Sequence, residues 1–248
     1  MMEMITSRKN ATIQRVRKLL SSRKARMEEG LFVADGTKLL EEAVKWWPGL
    51  QMVLYTPDVD VRVPERVEKI CISKELMAYV SPMETPQGAL FVCALPEEKP
   101  LAVMPGMLLL DGIQDPGNLG TILRTADALN VPVVLLEGCA DPYSHKVVRS
   151  SMGAVFRSVP GVSTWEAVKA ACKEGNIPVA VTALSSKAKD IRQADLAKMA
   201  VVIGSEGQGV RREILESAQA ELIIPMNEKC ESLNAAVATT IVLWEMKR

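Results

Sequence analysis

Short apolar runs alternate along this chain with stretches in which apolar residues recur every three or four positions. The runs predict strands, and the recurring pattern predicts amphipathic helices. Predicted strands lie at residues 31–34, 52–55, 69–72, 89–94, 107–110, 131–136, 178–181, 201–203 and 222–224. Predicted helices lie at residues 11–25, 37–47, 119–129, 144–151 and 233–246, with a short one after residue 73 and another that ends at residue 173. This alternation predicts an α/β fold, with a parallel sheet covered on both faces in the second half.

A polar, proline-bounded segment interrupts the alternation before the middle of the chain. Pro96 and Pro100 flank three charged residues, and Pro105 follows soon after. Such a segment is typical of a linker. We therefore expect a small domain at residues 1–97, a linker at 98–105 and a larger domain at 106–248, which suits a chain of 248 residues.

Polar residues just before the periodic stretches predict where helices begin. Asn10 is expected to cap the first helix, and Asn118 the helix after the strand at 107–110. Ser163 and Glu166 have the spacing of a capping box. Ser232 is a possible cap for the last helix, which would be a purely structural role.

Cysteine and histidine content limits the available chemistry. The five cysteines are far apart and odd in number, and the chain has one histidine. This composition predicts reduced thiols in a cytoplasmic protein and no metal site. It also lacks the histidine that hydrolases commonly use as a general base. Because no signal-peptide pattern or long apolar run occurs, we expect neither export nor a membrane span.

Basic residues are concentrated near the beginning of the chain, although the formal net charge is zero. No acidic residue interrupts the run that comprises Arg8, Lys9, Arg15, Arg17, Lys18, Arg23, Lys24 and Arg26. A local basic face on a neutral protein suits the docking of a polyanion. A solvated helix face is the alternative interpretation.

Three loops that follow predicted strands carry the candidate chemistry. The first contains Asn118 and, further along the next helix, Arg124. The second, residues 204–209, is rich in glycine and has Glu206 in its middle; the third contains Ser232 and Asn234. The carboxyl ends of parallel strands meet at one edge of a sheet, so these residues are expected to converge there. An ordinary strand-to-helix connection with a surface arginine is the alternative for the first loop.

The converging groups offer hydrogen bonds and one fixed cation, without a metal-ligand cluster or a serine–histidine pair. The glycine spacing matches neither the dinucleotide fingerprint nor a P-loop, which disfavours a nucleotide-binding enzyme of Rossmann type. Such a set suits a reaction whose electrophile is already activated by a cofactor.

Taken together, these segments resemble the SpoU-type (TrmH-like) RNA 2′-O-ribose methyltransferases of the SPOUT superfamily. Three signature motifs carry the resemblance: Asn118 with Arg124, residues 203–209, and residues 224–226 followed by Ser232, Leu233, Asn234 and Ala238. Residues 146–154 are also similar to the family. The region from residue 5 to residue 36 looks like the small L30e-like RNA substrate-binding domain that many members carry, with Asp35 where a glutamate is expected.

The resemblance implies a fold, a cofactor and a set of site residues. It implies a trefoil-knotted, parallel-sheet catalytic domain preceded by a small L30e-like α/β domain, with S-adenosyl-L-methionine as the cofactor. Catalytic roles are implied for Asn118, Arg124, Glu206, Ser232 and Asn234. Cofactor binding is implied for Thr182, Ala183, Leu184, Gly204, Ser205, Glu206, Gly207, Ile224, Pro225, Met226, Ser232 and Leu233, with core packing as the competing role for the apolar side chains.

The implied roles differ among the polar residues. A guanidinium keeps its proton above about pH 12, so we expect Arg124 to bind an RNA phosphate and stabilise a developing alkoxide instead of acting as a base. Asn118, Ser232 and Asn234 would orient the ribose. Glu206 would fix either Arg124 or its own loop.

The implied activity is methyl transfer to a ribose 2′-hydroxyl in RNA. The extra N-terminal domain favours 23S rRNA over tRNA; a tRNA enzyme and a catalytically inactive RNA-binding member are the alternatives. RNA contacts are predicted at Arg8, Lys9, Arg15, Arg17, Lys18 and Arg149. A homodimer through the C-terminal knotted domain is also implied. The last helix would contribute a stripe that could equally form monomer core: Leu233, Val237, Thr240, Ile241 and Trp244.

Overall fold

The computed structural model describes residues 4–97, 100–227, 229–230 and 232–248, and its contacts divide the chain into two units. The first unit comprises Met1–Glu97 and Tyr143–Arg157, and the second comprises Glu98–Pro142 and Ser158–Arg248. The linker predicted at 98–105 begins with two residues that lie outside the described residues. The domain boundaries predicted from the sequence remain predictions, although the segment Tyr143–Arg157 belongs by its contacts to the first unit.

The first unit is built on a mixed sheet. Its elements up to residue 97 are α1 (Ala11–Ser21), α2 (Arg23–Glu29), β1 (Leu31–Asp35), α3 (Thr37–Trp46), β2 (Leu50–Tyr55), β3 (Glu68–Cys71), α4 (Lys74–Val80) and β4 (Ala89–Ala94). The strand order is β1-β4-β2-β3, in which β4 runs antiparallel to both neighbours and β3 runs parallel to β2. Helix α1 buries Ile13, Val16 and Leu19 in the core beneath this sheet.

The prediction of a single helix at residues 11–25 is wrong, because the helix is interrupted at Ser22. Ser22 has an extended backbone, and its side chain accepts a hydrogen bond from the Ala25 amide at the start of α2. Buried Arg26 donates from Nη1 to the Leu19 carbonyl at 2.6 Å, which satisfies the end of α1. A serine that can cap therefore ends one helix and starts the next.

The remaining elements follow in chain order and include the second sheet. They are β5 (Leu108–Asp111), α5 (Pro116–Ala128), β6 (Val133–Leu135), α6 (His145–Ser150), α7 (Ala154–Arg157), β7 (Gly161–Val162), α8 (Trp165–Glu174), β8 (Val179–Thr182), β9 (Lys189–Asp190), β10 (Ala200–Gly204), α9 (Arg212–Ser217), β11 (Ala220–Ile223) and α10 (Ala235–Met246). Short 3-10 turns lie at Ile191–Gln193 and Leu196–Lys198.

The second unit contains the predicted parallel sheet. Its strand order is β7-β6-β5-β10-β8-β11-β9, and the paired strands run parallel throughout. The central strands β5 and β10 are buried along most of their length. The predicted α/β class is therefore confirmed. The knotted threading implied by the family resemblance remains a prediction.

Aromatic packing accounts for the place of Tyr143–Arg157 in the first unit. The Phe32 ring on β1 lies 5.1 Å from the Tyr143 ring and 6.2 Å from the Phe156 ring, centroid to centroid. Trp47 packs edge-on against Phe32 at 5.7 Å and donates from its indole nitrogen to the Ala94 carbonyl. Burying rings of this size contributes strongly to a small core.

Several predicted caps are displaced along the chain. Asp115, not Asn118, caps α5, and its Oδ1 accepts the Asn118 amide at 2.7 Å. Thr164, not Ser163, caps α8. For α10, Asn234 replaces Ser232, because its side chain accepts hydrogen bonds from the Ala236 and Val237 amides. The Asn118 side chain is consequently free to face another loop.

Helix α10 buries a different face from the stripe predicted for it. Its buried residues are Ala235, Ala236, Thr239, Val242, Leu243 and Met246. Val237, Ile241 and Trp244 are exposed, and Trp244 retains 68% of its accessible surface. Monomer core is therefore the wrong alternative for these three residues.

Candidate active site

The carboxyl ends of neighbouring strands in the second unit form the edge that carries the predicted site. Strand β5 ends at Asp111, β10 at Gly204, β8 at Thr182 and β11 at Ile223. These strands are consecutive in the sheet. Ligands bind outside the carboxyl ends of strands in open α/β sheets, so this edge is the place to look for chemistry.

Glu206 joins the three loops that the sequence predicted to converge. Its Oε1 accepts hydrogen bonds from Asn118 Nδ2 at 2.9 Å, Asn234 Nδ2 at 2.7 Å and the Ala235 amide at 2.8 Å. Asn234 Nδ2 also donates to Asn118 Oδ1 at 3.0 Å. Residues 118, 206 and 234 are far apart in the chain, so this cluster exists only in the folded protein.

The glycine-rich loop is shaped by a close crossing of its own backbone. Ser205 and Gly209 pair through backbone hydrogen bonds of 3.2 and 2.9 Å, which turn the loop back on itself. A Cβ at Gly204 would lie 2.1 Å from the Gly209 carbonyl carbon and 2.3 Å from the Val210 nitrogen. Only glycine fits there, and Glu206 is thereby held above the strand end.

A buried ion pair anchors the far side of this loop, and it was missed in the sequence. Asp111 is 1% exposed and accepts from the Arg211 amide at 2.8 Å and from Arg211 Nε at 2.7 Å. Arg211 also donates to Glu137 at 2.7 Å, which links the loop to the end of β6. A carboxylate directly after the apolar run of β5 was the available signal, since buried acids are nearly always paired.

The pKa of the Glu137 carboxyl reflects the contacts around it. Burial acts to raise the pKa of the Glu137 carboxyl. Backbone hydrogen bonding at Glu137, the Arg211 guanidinium and the Trp165 amide act in the other direction, and the pKa falls below its usual value. The carboxylate is therefore ionised at neutral pH and holds Arg211 in place.

A cavity of about 320 Å³ opens beside the cluster. It is lined by Ile113, Gln114, Asp115, Asn118, Ser205, Glu206, Gly207, Gln208 and Ala235. A larger depression of about 510 Å³ lies between α8 and the beginning of β8, where its charged groups are the surface lysines Lys169 and Lys173. The smaller cavity is the better candidate, because polar groups from separate loops converge on it.

Two of the residues predicted to be catalytic, Arg124 and Ser232, form no hydrogen bond with this cluster among the described residues. Arg124 is exposed on α5 and has no hydrogen-bond or ion-pair partner among the described residues. Six residues of α-helix turn it about 120° away from Asn118. Ser232 is exposed, and its carbonyl accepts a contact from the Cys230 thiol at 3.3 Å. Glu206 was predicted to fix either Arg124 or its own loop. The hydrogen bonds of Glu206 favour the second role.

The segments predicted to hold the cofactor lie at the ends of adjacent strands. Thr182 Oγ1 donates to the Val202 carbonyl at 3.4 Å, and the Ala183 amide donates to the Leu222 carbonyl at 2.9 Å. Leu184 is 66% exposed, so core packing is the wrong alternative for it. Ser205 and Gly207 lie in the loop after β10. The remaining side chains predicted to bind the cofactor are half-buried or exposed: Ile224, Pro225, Met226 and Leu233.

The residues predicted to contact RNA differ in how their charges are used. Arg15 pairs with Glu29 at 2.5 Å, whereas Lys9 and Lys18 are exposed. Arg149 contacts the Met83 sulfur. The two remaining residues, Arg8 and Arg17, lie over the ring of Tyr79, which was not among the predicted RNA contacts.

Asp35, the one departure from the family pattern, lies at the end of β1. Burial raises the pKa of the Asp35 carboxyl, although Ser81 Oγ donates to it at 2.5 Å and the Arg149 charge lies nearby.

In the described part of the chain, none of the helices is long and apolar enough to cross a membrane.

Comparisons with known proteins agree with this geometry. Residues 105–244 match the SpoU rRNA Methylase family, and residues 10–90 match the MRM3-like substrate binding domain. The 23S rRNA (guanosine(2553)-2′-O)-methyltransferase RlmP of Bacillus subtilis is 36% identical to this chain, over 99% of this chain and 100% of the relative.

Solved structures are similar over the whole length. An AdoMet-bound rRNA methyltransferase from Sinorhizobium meliloti superposes with a TM-score of 0.87 at 28% identity, covering 100% of this chain and 98% of that one. A TrmH-family protein from Porphyromonas gingivalis superposes with a TM-score of 0.86 at 35% identity, covering 96% and 98%. Given the motif cluster around Glu206 and these likenesses, the chain belongs to the SpoU rRNA Methylase family.

Proposed function

We propose that this protein transfers a methyl group from S-adenosyl-L-methionine to a ribose 2′-hydroxyl of RNA, and that the RNA is 23S rRNA. The observation that carries the proposal is the Glu206 carboxylate, which joins Asn118, Asn234 and the start of α10 beside a cavity. Similarity to a Bacillus subtilis enzyme named for 23S rRNA 2′-O-methylation supports the substrate.

The strand edge fits the proposed methyl donor. Leu184, Ile224 and Met226 leave apolar surface uncovered at the ends of β8 and β11, as a flat adenine slot requires. Residues 182–184, 204–207, 224–226 and 232–233 would hold the cofactor, largely through backbone groups. When bound, it supplies an electrophilic methyl on a sulfonium, whose leaving group is a neutral thioether.

The hydrogen-bond inventory of the cluster separates positioning groups from groups that can touch RNA. Asn234 uses both Nδ2 hydrogens on Glu206 and Asn118, and its Oδ1 accepts two backbone amides. Asn234 is therefore a positioning residue, although the family resemblance predicts that it orients the ribose. One Nδ2 hydrogen of Asn118 and the second oxygen of Glu206 are left to meet a ribose hydroxyl.

The reaction needs alignment and charge more than a strong acid or base. The 2′-hydroxyl is a poor acid, so its oxygen becomes reactive only where the developing negative charge is stabilised. The family resemblance, and not a contact with the Glu206 cluster in the described residues, assigns Arg124 its role, in which it would supply a permanent cation for that charge or for the adjacent phosphate. The ribose itself is oriented by Asn118 and Ser232.

We further propose a homodimer and a cytoplasmic location. The exposed stripe Val237, Ile241 and Trp244 on α10 is apolar and continuous, and a second copy of the chain would cover it. The cysteines are all free thiols, which suits a reducing compartment.

A labelled methyl-transfer assay tests the function. The protein is incubated with methyl-labelled S-adenosylmethionine and, separately, with unmodified 23S rRNA transcript and with tRNA. Label should enter the 23S transcript at one linkage that resists alkaline hydrolysis, because a 2′-O-methyl group blocks attack on the phosphate. Label in tRNA alone would reassign the substrate. Cofactor binding without transfer to either RNA would contradict the catalytic role.

A further inference from the structure

Two arginines of the first unit share one aromatic ring. The guanidinium carbon of Arg8 lies 4.4 Å from the centroid of the Tyr79 ring, and that of Arg17 lies 4.2 Å from it. Arg17 Nη1 also donates to the Tyr79 hydroxyl. The residues come from the segment before α1, from α1 and from α4, so folding assembles the group.

Carboxylates compensate part of the positive charge around this group. Salt bridges pair Arg15 with Glu29, Lys24 with Glu28 and Lys74 with Asp58. Within the described residues, neither Arg8 nor Arg17 has a carboxylate within salt-bridge distance. Among the described residues, Arg8 and Arg17 therefore remain uncompensated, as do Lys9, Lys18 and Arg23, and Arg8 and Arg17 are the two that share an aromatic ring.

Holding two guanidiniums against one ring has an electrostatic consequence. The two carbons can be no farther apart than the sum of their distances to the centroid, so the cations repel each other. Cation–π attraction to the electron-rich ring offsets part of this repulsion. An RNA phosphate at each guanidinium would offset the rest, and a phosphodiester matches the paired N–H donors of a guanidinium better than other common anions do.

We propose that Arg8, Arg17 and Tyr79 form a preorganised site for the phosphodiester backbone of RNA. The proposal rests on the proposed function, since it assigns part of the substrate contact. Tyr79 acts as a positioning residue: its ring holds both arginines in place before RNA arrives, which lowers the ordering cost of binding. Arg15, by contrast, contributes little because Glu29 already neutralises it.

The salt dependence of RNA binding tests the site. Affinity of the full chain for a 20-nucleotide oligouridylate is measured without cofactor at several salt concentrations. Log K falls as log salt rises, and the double variant R8Q/R17Q should make this slope shallower by about 1.4. Each phosphate contact on a single strand contributes about 0.7 to the steepness. The control R23Q/K24Q removes the same charge from α2, and it should change the slope by less than half as much.

Two further variants examine the ring. Tyr79→Leu should weaken binding about tenfold with a nearly unchanged slope, because two arginines must then be ordered at the moment of binding. Tyr79→Phe keeps the ring and should weaken binding only two- to threefold by comparison, since a single exposed hydrogen bond is lost. Circular dichroism and binding of S-adenosylmethionine confirm that each variant is folded.

Each outcome bears on the proposal. Equal slopes in R8Q/R17Q and R23Q/K24Q would show that charge acts diffusely and would overturn the site. Wild-type affinity in Tyr79→Leu would overturn the role of the ring. Arginine-dependent binding to phosphatidylglycerol vesicles but not to oligouridylate would reassign the surface to lipid. Because these measurements need no methyl transfer, a failure of the proposed function would leave them readable.

Discussion

Arg124 lies on the exposed side of α5 and has no partner within the described chain, so its removal should leave the fold intact. We expect Arg124→Ala to lower turnover by at least about 100-fold, as loss of a charge-stabilising donor does in other enzymes. Its affinity for S-adenosylmethionine should stay within about twofold of wild type. The measurements are single-turnover methyl transfer and equilibrium dialysis with labelled cofactor.

Arg212→Ala is the matched control, because Arg212 is an exposed arginine whose one ion-pair partner among the described residues is Glu216 on α9. It should retain full turnover. A parallel loss of cofactor binding and turnover in Arg124→Ala would assign Arg124 a structural role and contradict the charge-stabilising one.

His145, the one histidine of the chain, has a buried Nδ1 without a hydrogen-bond partner in the part that the structure describes. Burial lowers the pKa of His145 from its ordinary value of 6.5, and the charges of Lys146, Arg26 and Arg149 act in the same direction. The unfolded chain therefore binds a proton at His145 at a higher pH than the folded chain does. Stability should fall as the pH drops below 6.5 towards the lowered folded pKa.

Urea unfolding at pH 7.5 and pH 5.5 checks this, with the change compared between wild type and His145→Gln. The variant should lose less stability than wild type between the two values, because the carboxyl groups common to both proteins titrate mostly at lower pH. Identical losses would show that His145 is not the group responsible.

The sequence predicted which polar residues belong to the site, but it did not predict which hydrogen bonds they form. Asn118, Glu206 and Asn234 were expected together and are found together. The cap of α5 could not be chosen, since Asp115 and Asn118 have equal capping chemistry and Pro116 suits the first helical position. Likewise Ser232 and Asn234 are chemically equivalent candidates, and only the fold decides between them.

At the scale of elements, the loop after β10 is the most constrained part of the site. Gly204→Ala would place a methyl group within 2.1–2.3 Å of the Gly209 and Val210 backbone. We expect the free energy of unfolding of the second unit to fall by about 3 kcal/mol or more, because backbone atoms yield less than side chains to overpacking. Thermal unfolding and cofactor affinity are the measurements.

Gly207→Ala offers a control in the same loop. A Cβ at Gly207 meets nothing within 4 Å, so its thermal unfolding should stay close to wild type. Equal destabilisation by both alanines would show that the loop responds to any side chain, and that the crossing at Gly204 has no special role.

Strands were easier to predict than their interruptions. The run at 89–94 coincides with β4 (Ala89–Ala94), because buried strands show as continuous apolar segments. The strands β7 and β9 span two residues each, which is too short for any period to show. The break at Ser22 was missed because no glycine or proline marks it.

At the scale of the whole molecule, the segment Tyr143–Arg157 shows what a linear pattern cannot reveal. A helix was predicted at residues 144–151, whereas the one at Ala154–Arg157 was not. The place of the segment depends on Tyr143 and Phe156 packing against Phe32 of β1. Such contacts join residues more than a hundred positions apart. No periodicity encodes which aromatic ring another will meet, so only the folded structure assigns the segment to the first unit.

The exposed stripe of α10 gives the last prediction, which concerns assembly. A tryptophan at the centre of an interface commonly contributes 2 kcal/mol or more, so Trp244→Glu should raise the dimer dissociation constant at least about 30-fold. Trp46→Glu is the control, because Trp46 is also exposed but lies on α3 in the first unit. Sedimentation velocity over a concentration series should find Trp46→Glu dimeric like wild type and Trp244→Glu largely monomeric. A wild-type monomer, or equal dissociation in both variants, would mean that the stripe does not bind a second copy and that each chain works alone.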